Sequence, residues 1–428
     1  MTSKGLKYRA QNDPRIAALL VLGEVLRGEA DSQAALDRQL EDSILVPSNK
    51  ALCTELVYGV LRLHLRLSWF LYQKLTQPRK LPQEMLLILE LAAYEIAHLR
   101  IPVHASVNFA VGFLRNRFGA GLAGVGNAVL RNFQRTLTEE YENKDFYLAC
   151  LAKQSNKNQG NPENGLSALS ADFLAVFYSM PVWIVRLWLV AYGEETTKNY
   201  LASGLEQAPT GVRVNLLYSG HKALLNELKQ SPGALFIEPA TISLPSGTRM
   251  PWQNLLESGR ITRQSAAAYE ALCAMHPENW ELPIWDACAG RGGKSMALLE
   301  QGIAIARVSD SSEERLKDFS EEFKRLFSSL DTSGEQTIPP PIPLCPEIIL
   351  SKAQELARNE DQKSSGKFGT ILLDVPCSGF GTLAHRPEIR WRRTPAEISQ
   401  LCLEQDELLE MAGANLKESG SIVYLTCT

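Results

Sequence analysis

Apolar residues recur at three- and four-residue intervals through the first third of the chain. Leu86, Leu89, Ala93 and Ile96 form one such series, the pattern of a helix with one buried face. The same spacing predicts helices over Pro14–Arg27, Ser48–Thr76, Pro82–Arg100 and Ala105–Arg117. Pro82 stands where a first helical turn tolerates proline. No stretch before residue 135 alternates with period two, so this region is expected to be all helical. The pattern lapses between Ala152 and Ser170, where Lys153–Gly165 is rich in Asn, Gln, Gly and Ser and lacks apolar anchors. That composition predicts a linker. A helix is predicted over Trp183–Leu205. A strand (Gly211–Tyr218), a helix (His221–Gln230) and a strand (Ala234–Ser243) then make a small β-α-β region, before another helix at Gln264–Met275.

Beyond residue 283 the rhythm changes to short buried strands separated by helices. Ile284–Asp286, Ala304–Asp310, Pro346–Ser351, Thr370–Asp374 and Ser421–Thr426 read as strands; Lys294–Gln301, Ser312–Phe327 and Ala396–Lys417 read as helices. This alternation predicts a parallel sheet covered on both faces. Residues 328–347 and 359–367 are polar interruptions, expected as solvated loops. The organisation predicted is an all-α domain over 1–140, a linker over 141–170, a helical plus β-α-β subdomain over 171–282, and a Rossmann-like α/β domain over 283–428.

Composition sharpens this picture. With 428 residues, 45% hydrophobic and 21% charged, the chain is too long for one ordinary core and is neither collagen-like, disordered overall nor a coiled coil. The formal charge of -4 averages two unlike regions. Residues 1–135 carry 17 Lys+Arg against 11 Asp+Glu, and 62–135 alone carry 10 against 3; the rest of the chain carries 27 against 37. A basic front suits a nucleic-acid arm. The first 15 residues hold no apolar signal core, and no uncharged run approaches the roughly 20 residues that span a bilayer. The best candidate, Pro181–Tyr192, is interrupted by Arg186. A cytoplasmic protein with no membrane partner is expected. No two of the eight cysteines are closer than 15 residues, which leaves no C-x-x-C zinc knuckle and no metal expectation. Free thiols in a reducing compartment are expected instead.

Two glycine-rich turns carry the candidate chemistry. Trp285-Asp-Ala-Cys-Ala-Gly-Arg-Gly-Gly-Lys-Ser295 follows a strand and opens a helix, where glycines let the backbone approach a ligand. A phosphate-binding P-loop needs Gly five places before Gly293, where Cys288 stands; a dinucleotide fingerprint from Gly290 ends on Ser295 rather than Gly. An S-adenosylmethionine turn needs an acid at the end of the next strand to hold ribose hydroxyls. Asp310 is placed for that role, or for capping the helix that follows.

The second turn is Phe368-Gly-Thr-Ile-Leu-Leu-Asp-Val-Pro-Cys-Ser-Gly-Phe-Gly381. Ligands of open α/β sheets sit beyond the carboxyl ends of the strands, so Asp374, Cys377 and the Asp310 region should converge on one rim. Cys427 ends another strand and joins them. Each cysteine alone reads as readily as a small buried hydrophobe; two at the ends of separate strands, beside a carboxylate, suggest covalent chemistry. Carbon 5 of a pyrimidine is not nucleophilic until a thiolate adds at carbon 6, and a protonated Asp374 could support charge at N3. Arg386, Arg390, Arg392 and Arg393 with Trp391 suit phosphate contact and base stacking, or a solvated face where a helix begins.

These residues resemble a known family. The glycine turn, Asp374–Gly381 with Arg386-Pro-Glu-Ile-Arg-Trp391, and Thr426-Cys427 are similar to the motifs of RNA cytosine-C5 methyltransferases. Leu56-Val-Tyr-Gly-Val-Leu-Arg62, Ile101-Pro-Val-His-Ala105 and Gly126-Asn-Ala-Val-Leu-Arg131 resemble the NusB-like RNA-binding domain. The combined layout is that of the bacterial small-subunit ribosomal RNA methyltransferases of the Sun/Fmu type. The resemblance implies 5-methylcytosine formation in 16S ribosomal RNA, with Cys427 as nucleophile, Cys377 assisting product release and Asp374 at the junction of base and cofactor. It implies S-adenosyl-L-methionine held by Cys288, Ala289, Gly290, Arg291, Gly292, Gly293 and Lys294, with Asp310 and Asp374. The RNA-binding residues expected are Arg62, Arg115, Arg117, Arg131, Arg386, Arg390 and Trp391, in a monomer whose 171–282 subdomain also meets RNA. Gly290-Arg291 departs from the family's Ala-Pro. Ser351-Lys352 stands where the family has an acid near adenine, Glu355 being the nearest acid. Family members also continue beyond the T-C motif, whereas this chain ends one residue after Cys427, so a domain lacking its last strands is expected. The alternative expectation is a non-catalytic RNA-binding protein or fragment that keeps the fold.

Overall fold

The computed structural model describes residues 10–157, 165–248, 250–328, 343–352 and 367–427. Most of the polar segments singled out in the sequence, including Glu355, lie outside these residues. The chain divides into two compact units. The first joins Met1–Glu206 to Phe380–Thr394; the second joins Gln207–Gly379 to Pro395–Thr428.

Helices α1 (Pro14–Leu26), α2 (Ser32–Glu41), α3 (Pro47–Gln73), α4 (Gln83–His98), α5 (Val103–Phe118) and α6 (Ala120–Arg135) open the first unit. Local chemistry starts several of them. The Asp13 carboxylate accepts from the Arg15 and Ile16 amides, and Asp31 accepts from the Ala34 amide of α2, filling orphan donors of the helix starts, while Pro14 at the first position of α1 has no donor to satisfy. The apolar stripes converge on one core that includes Leu56, Val60, Phe70, Leu89, Leu114 and Leu130. Gly59 is part of that packing: a side-chain carbon there would stand 2.0 Å from the Tyr94 ring.

Three helices follow: α7 (Lys144–Lys157), α8 (Gly165–Phe177) and α9 (Val182–Ser203), the last broken at Gly193. The linker expected over 141–170 is therefore largely helical where it is described. Tyr147 is fully buried and Phe177 packs on the same core, which ties these helices to the first unit rather than to the 171–282 subdomain. No single helix among the described residues is long and apolar enough to cross a membrane; Ser170–Phe177 and Val182–Ser203 meet that test only as a pair bent by 118°.

The second unit contains two sheets. Strands β1 (Thr210–Val214), β2 (Leu235–Ile237), β3 (Thr241–Leu244) and β4 (Ile261–Arg263) form an antiparallel sheet in the order β2-β3-β1-β4, with helices α10 (His221–Lys229) and α11 (Trp252–Glu257). This corrects the expected β-α-β region: Ala234–Ser243 turns back on itself, so every pairing is antiparallel. Helix α12 (Ala266–Ala274) leads into the second sheet.

That sheet comprises β5 (Ile284–Asp286), β6 (Arg307–Asp310), β7 (Glu347–Leu350), β8 (Phe368–Asp374) and β9 (Leu416–Leu425), all parallel, in the order β7-β6-β5-β8-β9. Helices α13 (Gly293–Glu300), α14 (Glu313–Phe327) and α15 (Pro395–Asn415) accompany it. Alternation along β8 divides the cores. Leu372 joins Met296, Phe319 and Leu326 on one face, while Ile371 and Leu373 join Leu408, Met411 and Ala412 on the other. The chain order reverses between β5 and β8, the switch point outside which ligands of such sheets bind.

Candidate active site

Register places the chemistry. Asp286 pairs with Leu372, Asp310 with Leu350, and Asp374 with Leu425, so the strands carrying the candidate residues end on one carboxyl edge. Beyond Asp374, Val375 is buried and the Pro376 carbonyl accepts from Gln405 Nε2 of α15 at 2.7 Å. This fixes the loop that presents Cys377. Two residues beyond the end of β9, Cys427 meets it: the two Sγ atoms are 3.0 Å apart, and the Cys427 amide donates to Cys377 Sγ at 3.4 Å. Cys427 is exposed and Cys377 half-buried, so neither is a buried hydrophobe. The hydrogen bond to Cys377 and then burial hold the Cys427 thiol above the ordinary range; the Asp374 charge adds to the rise and Lys294 opposes it. A thiolate at either sulfur stands within hydrogen-bond reach of the other thiol.

Asp374 is ion-paired with Lys294 from the first turn of α13. Lys294 therefore stands directly against the carboxyl expected at the junction of base and cofactor.

The glycine turn forms a second part of the site. The Gly290 amide donates to Asp310 Oδ2 at 2.9 Å, and the Ser312 amide to Oδ1 at 2.8 Å. The cap of α14 is Ser312, whose hydroxyl accepts from the Arg315 amide, so Asp310 is not the helix cap. Gly290 has φ +55° and open space where a side chain would project. An open cavity of about 290 Å³ lies here, lined by Cys288, Gly290, Asp310, Arg315, Ser351, Lys352, Asp374, Pro376 and Glu404 among others. The volume sits near the lower end for small-molecule sites, about 300–1,000 Å³.

Of the expected cofactor residues, Cys288, Gly290, Asp310 and Asp374 line this cavity; Ala289, Arg291, Gly292, Gly293 and Lys294 do not. Arg291 is exposed and pairs with Asp318 at 3.0 Å. Burial raises the Cys288 thiol well above its ordinary value, so it is a wall rather than a nucleophile. Burial also pushes Asp286 up to about 6, against the Ser295 hydroxyl that hydrogen-bonds it. Ser351 and Lys352, which stand where the family has an acid near adenine, line the cavity; Arg315 and Glu404 also line it and were missed because no motif marks them.

The arginines expected to meet RNA separate into two groups, all within the first unit. Arg115, Arg131 and Arg386 are exposed. Arg117 is half-buried and pairs with Glu84 at 2.9 Å. Arg390 is a correction: it is 0% exposed. Its guanidinium donates to the carbonyls of Arg62 at 3.2 Å, Ser179 at 3.1 Å and Gly204 at 2.9 Å. Arg62 is also buried and donates to the Ala384 carbonyl at 3.3 Å. Trp391 is half-buried; its indole donates to the Leu61 carbonyl at 2.7 Å and its ring meets His64 edge-on. Arg390 and Trp391 thus donate to backbone carbonyls of the helical unit, whereas buried Arg62 makes one such bond and its Nε has no partner among the described residues.

The five-stranded parallel sheet, glycine turn and paired thiols define a Rossmann-like methyltransferase that carries a helical NusB domain. Residues 12–135 match the NusB family, and residues 345–428 match the family described as 16S rRNA methyltransferase RsmB/F. The ribosomal RNA small subunit methyltransferase B of Vibrio vulnificus is 30% identical over 421 residues, spanning 97% of this chain and 87% of that protein. A probable ribosomal RNA small subunit methyltransferase B from Synechocystis is 29% identical over 432 residues, spanning 97% of this chain and 85% of that protein. The chain belongs to the ribosomal RNA small subunit methyltransferase B family. The crystal structure of PH0851 has the same fold, with a TM-score of 0.65 at 19% identity over 97% of this chain and 86% of that one.

Proposed function

We propose that this chain methylates carbon 5 of a cytosine in 16S ribosomal RNA, using S-adenosyl-L-methionine and a covalent adduct on Cys427. The observation that carries the reading is the pair of thiols 3.0 Å apart beside the Lys294–Asp374 ion pair. The cofactor suits the cavity. Asp310 accepts from two amides and, at 3.4 and 3.5 Å, from Arg315, and its two oxygens keep acceptor capacity toward ribose hydroxyls, while the open space at Gly290 lets backbone approach a ligand. Cys288, Gly290 and Asp310 would hold it. When bound, S-adenosylmethionine supplies an electrophilic methyl group.

The chain's own groups do the rest. Cys427 gives up its proton to solvent and, as the thiolate, adds to carbon 6, so that the carbon 5–carbon 6 π pair moves onto carbon 5. Lys294 and Asp374 offer a donor and an acceptor to the polar edge of the base. Once carbon 5 carries the methyl group and loses its proton, the Cys427–carbon 6 bond breaks and the double bond returns. Cys377, in contact with the departing sulfur, can hydrogen-bond it as it regains charge. A flipped or single-stranded cytosine is needed at such a rim, and Arg115, Arg131 and Arg386 supply phosphate contacts. The reading is of a cytoplasmic monomer and requires no metal.

The test is methyl transfer to small-subunit ribosomal RNA, with nucleoside mass spectrometry to locate the product. 5-Methylcytosine from the wild-type chain and none from Cys427→Ala support it; full activity in that variant overturns it. Wild-type binding of RNA without any methyl transfer would favour the non-catalytic reading.

A further inference from the structure

Arg213 of β1 reaches out of the antiparallel sheet with a side chain that is 0% exposed. It donates from Nε and Nη2 to the two carboxylate oxygens of Glu300, at 2.8 and 3.0 Å. Its remaining nitrogen, Nη1, donates to the Gly293 carbonyl at 2.9 Å and to Gln264 Oε1. Gln264 follows β4 and donates from Nε2 to the same Gly293 carbonyl at 3.0 Å. Gly293 and Glu300 are the first and last residues of α13; seven positions apart, they share a helix face. One arginine therefore grips both ends of the helix that the glycine turn opens.

Stability alone does not account for this arrangement. Taking two charges out of water is costly, and apolar pairs of similar volume are often as stable. What an apolar pair cannot do is donate to the Gly293 carbonyl. That carbonyl lies between Gly292, which ends the turn, and Lys294, which pairs with Asp374.

We propose that Arg213 and Gln264 are positioning residues for the cofactor turn: by holding the Gly293 carbonyl, they set the turn 288–294 for S-adenosylmethionine. The antiparallel sheet thereby has a duty toward cofactor binding, whatever it contributes to RNA. The proposal rests on the methyl-transfer reading for its ligand, while the loop positioning can be read without any ligand.

The decisive variant is Arg213→Met/Glu300→Met in the full chain, which removes both charges together and keeps volume. Its melting temperature should stay within about 5 °C of wild type. Its dissociation constant for S-adenosylhomocysteine, by calorimetry, should rise at least about tenfold, and its RNA affinity should stay within about twofold. Amide exchange over 290–294 should accelerate. Gln264→Ala, at a half-buried site, should do the same more mildly, about threefold in cofactor affinity, and stands in if the double variant fails to fold. Folded variants with wild-type affinity for S-adenosylhomocysteine and unchanged exchange over 290–294 would overturn the proposal. A wild-type chain that binds no S-adenosylhomocysteine would overturn the methyl-transfer reading, and the exchange measurement would still decide the positioning.

Discussion

Residues 374–379 and 380–394 are consecutive in the chain and equally dense in reactive and charged side chains, yet they fold to different ends. In the first segment, Asp374 and Pro376 line the cavity beside Asp310 and Cys377 stands against Cys427. In the second, Glu388 and Arg390 are 0% exposed: the Glu388 carboxylate accepts from the Ser32 hydroxyl at 2.8 Å, and Arg390 donates to carbonyls from three places in the helical unit. A sequence motif that runs through both is thus half reaction site and half anchor. Charge does not distinguish the halves; what surrounds each charge does. A guanidinium among carbonyls has its donors satisfied by protein and has none left for phosphate.

Breaking the reactive half should have the largest effect. Cys427→Ala should lower methyl transfer by at least about 10³-fold and abolish any covalent RNA adduct seen on denaturing gels. Cys377→Ala should also lose turnover but accumulate the adduct, because attack survives while release is impaired. An adduct missing from both variants would dissolve the division of labour between the thiols.

Breaking the anchoring half should act on stability instead. Arg390→Ala leaves three buried carbonyls without their donor and should cost about 4 kcal/mol in the helical unit, measured by chemical denaturation. Arg386→Ala, at an exposed position that pairs with buried Glu388 at 3.4 Å, should cost no more than about 1 kcal/mol and reduce RNA affinity in a salt-dependent way. If Arg390→Ala were as stable as Arg386→Ala, the contrast drawn between the two segments would be wrong.

The same contrast explains what could be read in advance. Helices α1, α3, α4 and α5 were legible because their apolar residues recur at helical spacing, although α4 is buried all round from Met85 to Ile96, and strands β5, β6 and β8 because nearly every residue in them is buried. The two cysteines were legible because each ends a strand. Helix α7 was not, since the polar run that begins at Lys153 masks the short apolar stretch Phe146–Leu151 before it. Strand β4, at three residues, is too short for any period to show. The fate of Arg390 was not legible either. Its acceptors at 62, 179 and 204 are remote in sequence, and only tertiary folding brings them to one point.

pH should separate the two units. Asp286 in the sheet unit titrates near 6 rather than 3.8. The folded state therefore binds more protons than the unfolded chain between those values, and its contribution to stability is lost as pH rises through 6. His98 in the helical unit is lowered by burial, and by the Arg66 charge, from 6.5 to about 4. There the unfolded chain binds more protons, so stability is lost as pH falls from 6.5 toward 4. Each slope integrates to at most about 3–3.5 kcal/mol. Difference curves of Asp286→Asn and His98→Gln against wild type, by calorimetry from pH 4 to 7, should slope in opposite directions. Parallel curves would show that one of the two groups titrates normally.

The smallest effect divides the glycine turn itself. Gly292 has φ +85°, and a side-chain carbon there would stand 2.5 Å from the buried Phe319 ring. Gly290 has φ +55° but nothing within 4 Å. An alanine at 292 meets both backbone strain and a packed neighbour, and should cost about 2–3 kcal/mol. An alanine at 290 meets backbone strain alone and should cost about 1 kcal/mol. Its methyl group projects into the space assigned to the ligand, so Gly290→Ala should weaken S-adenosylhomocysteine binding by more than its stability loss suggests. Gly292→Ala should do the reverse. Equal ratios of affinity loss to stability loss in the two variants would mean that both glycines serve packing, and that the cavity beside Asp310 is not where the cofactor lies.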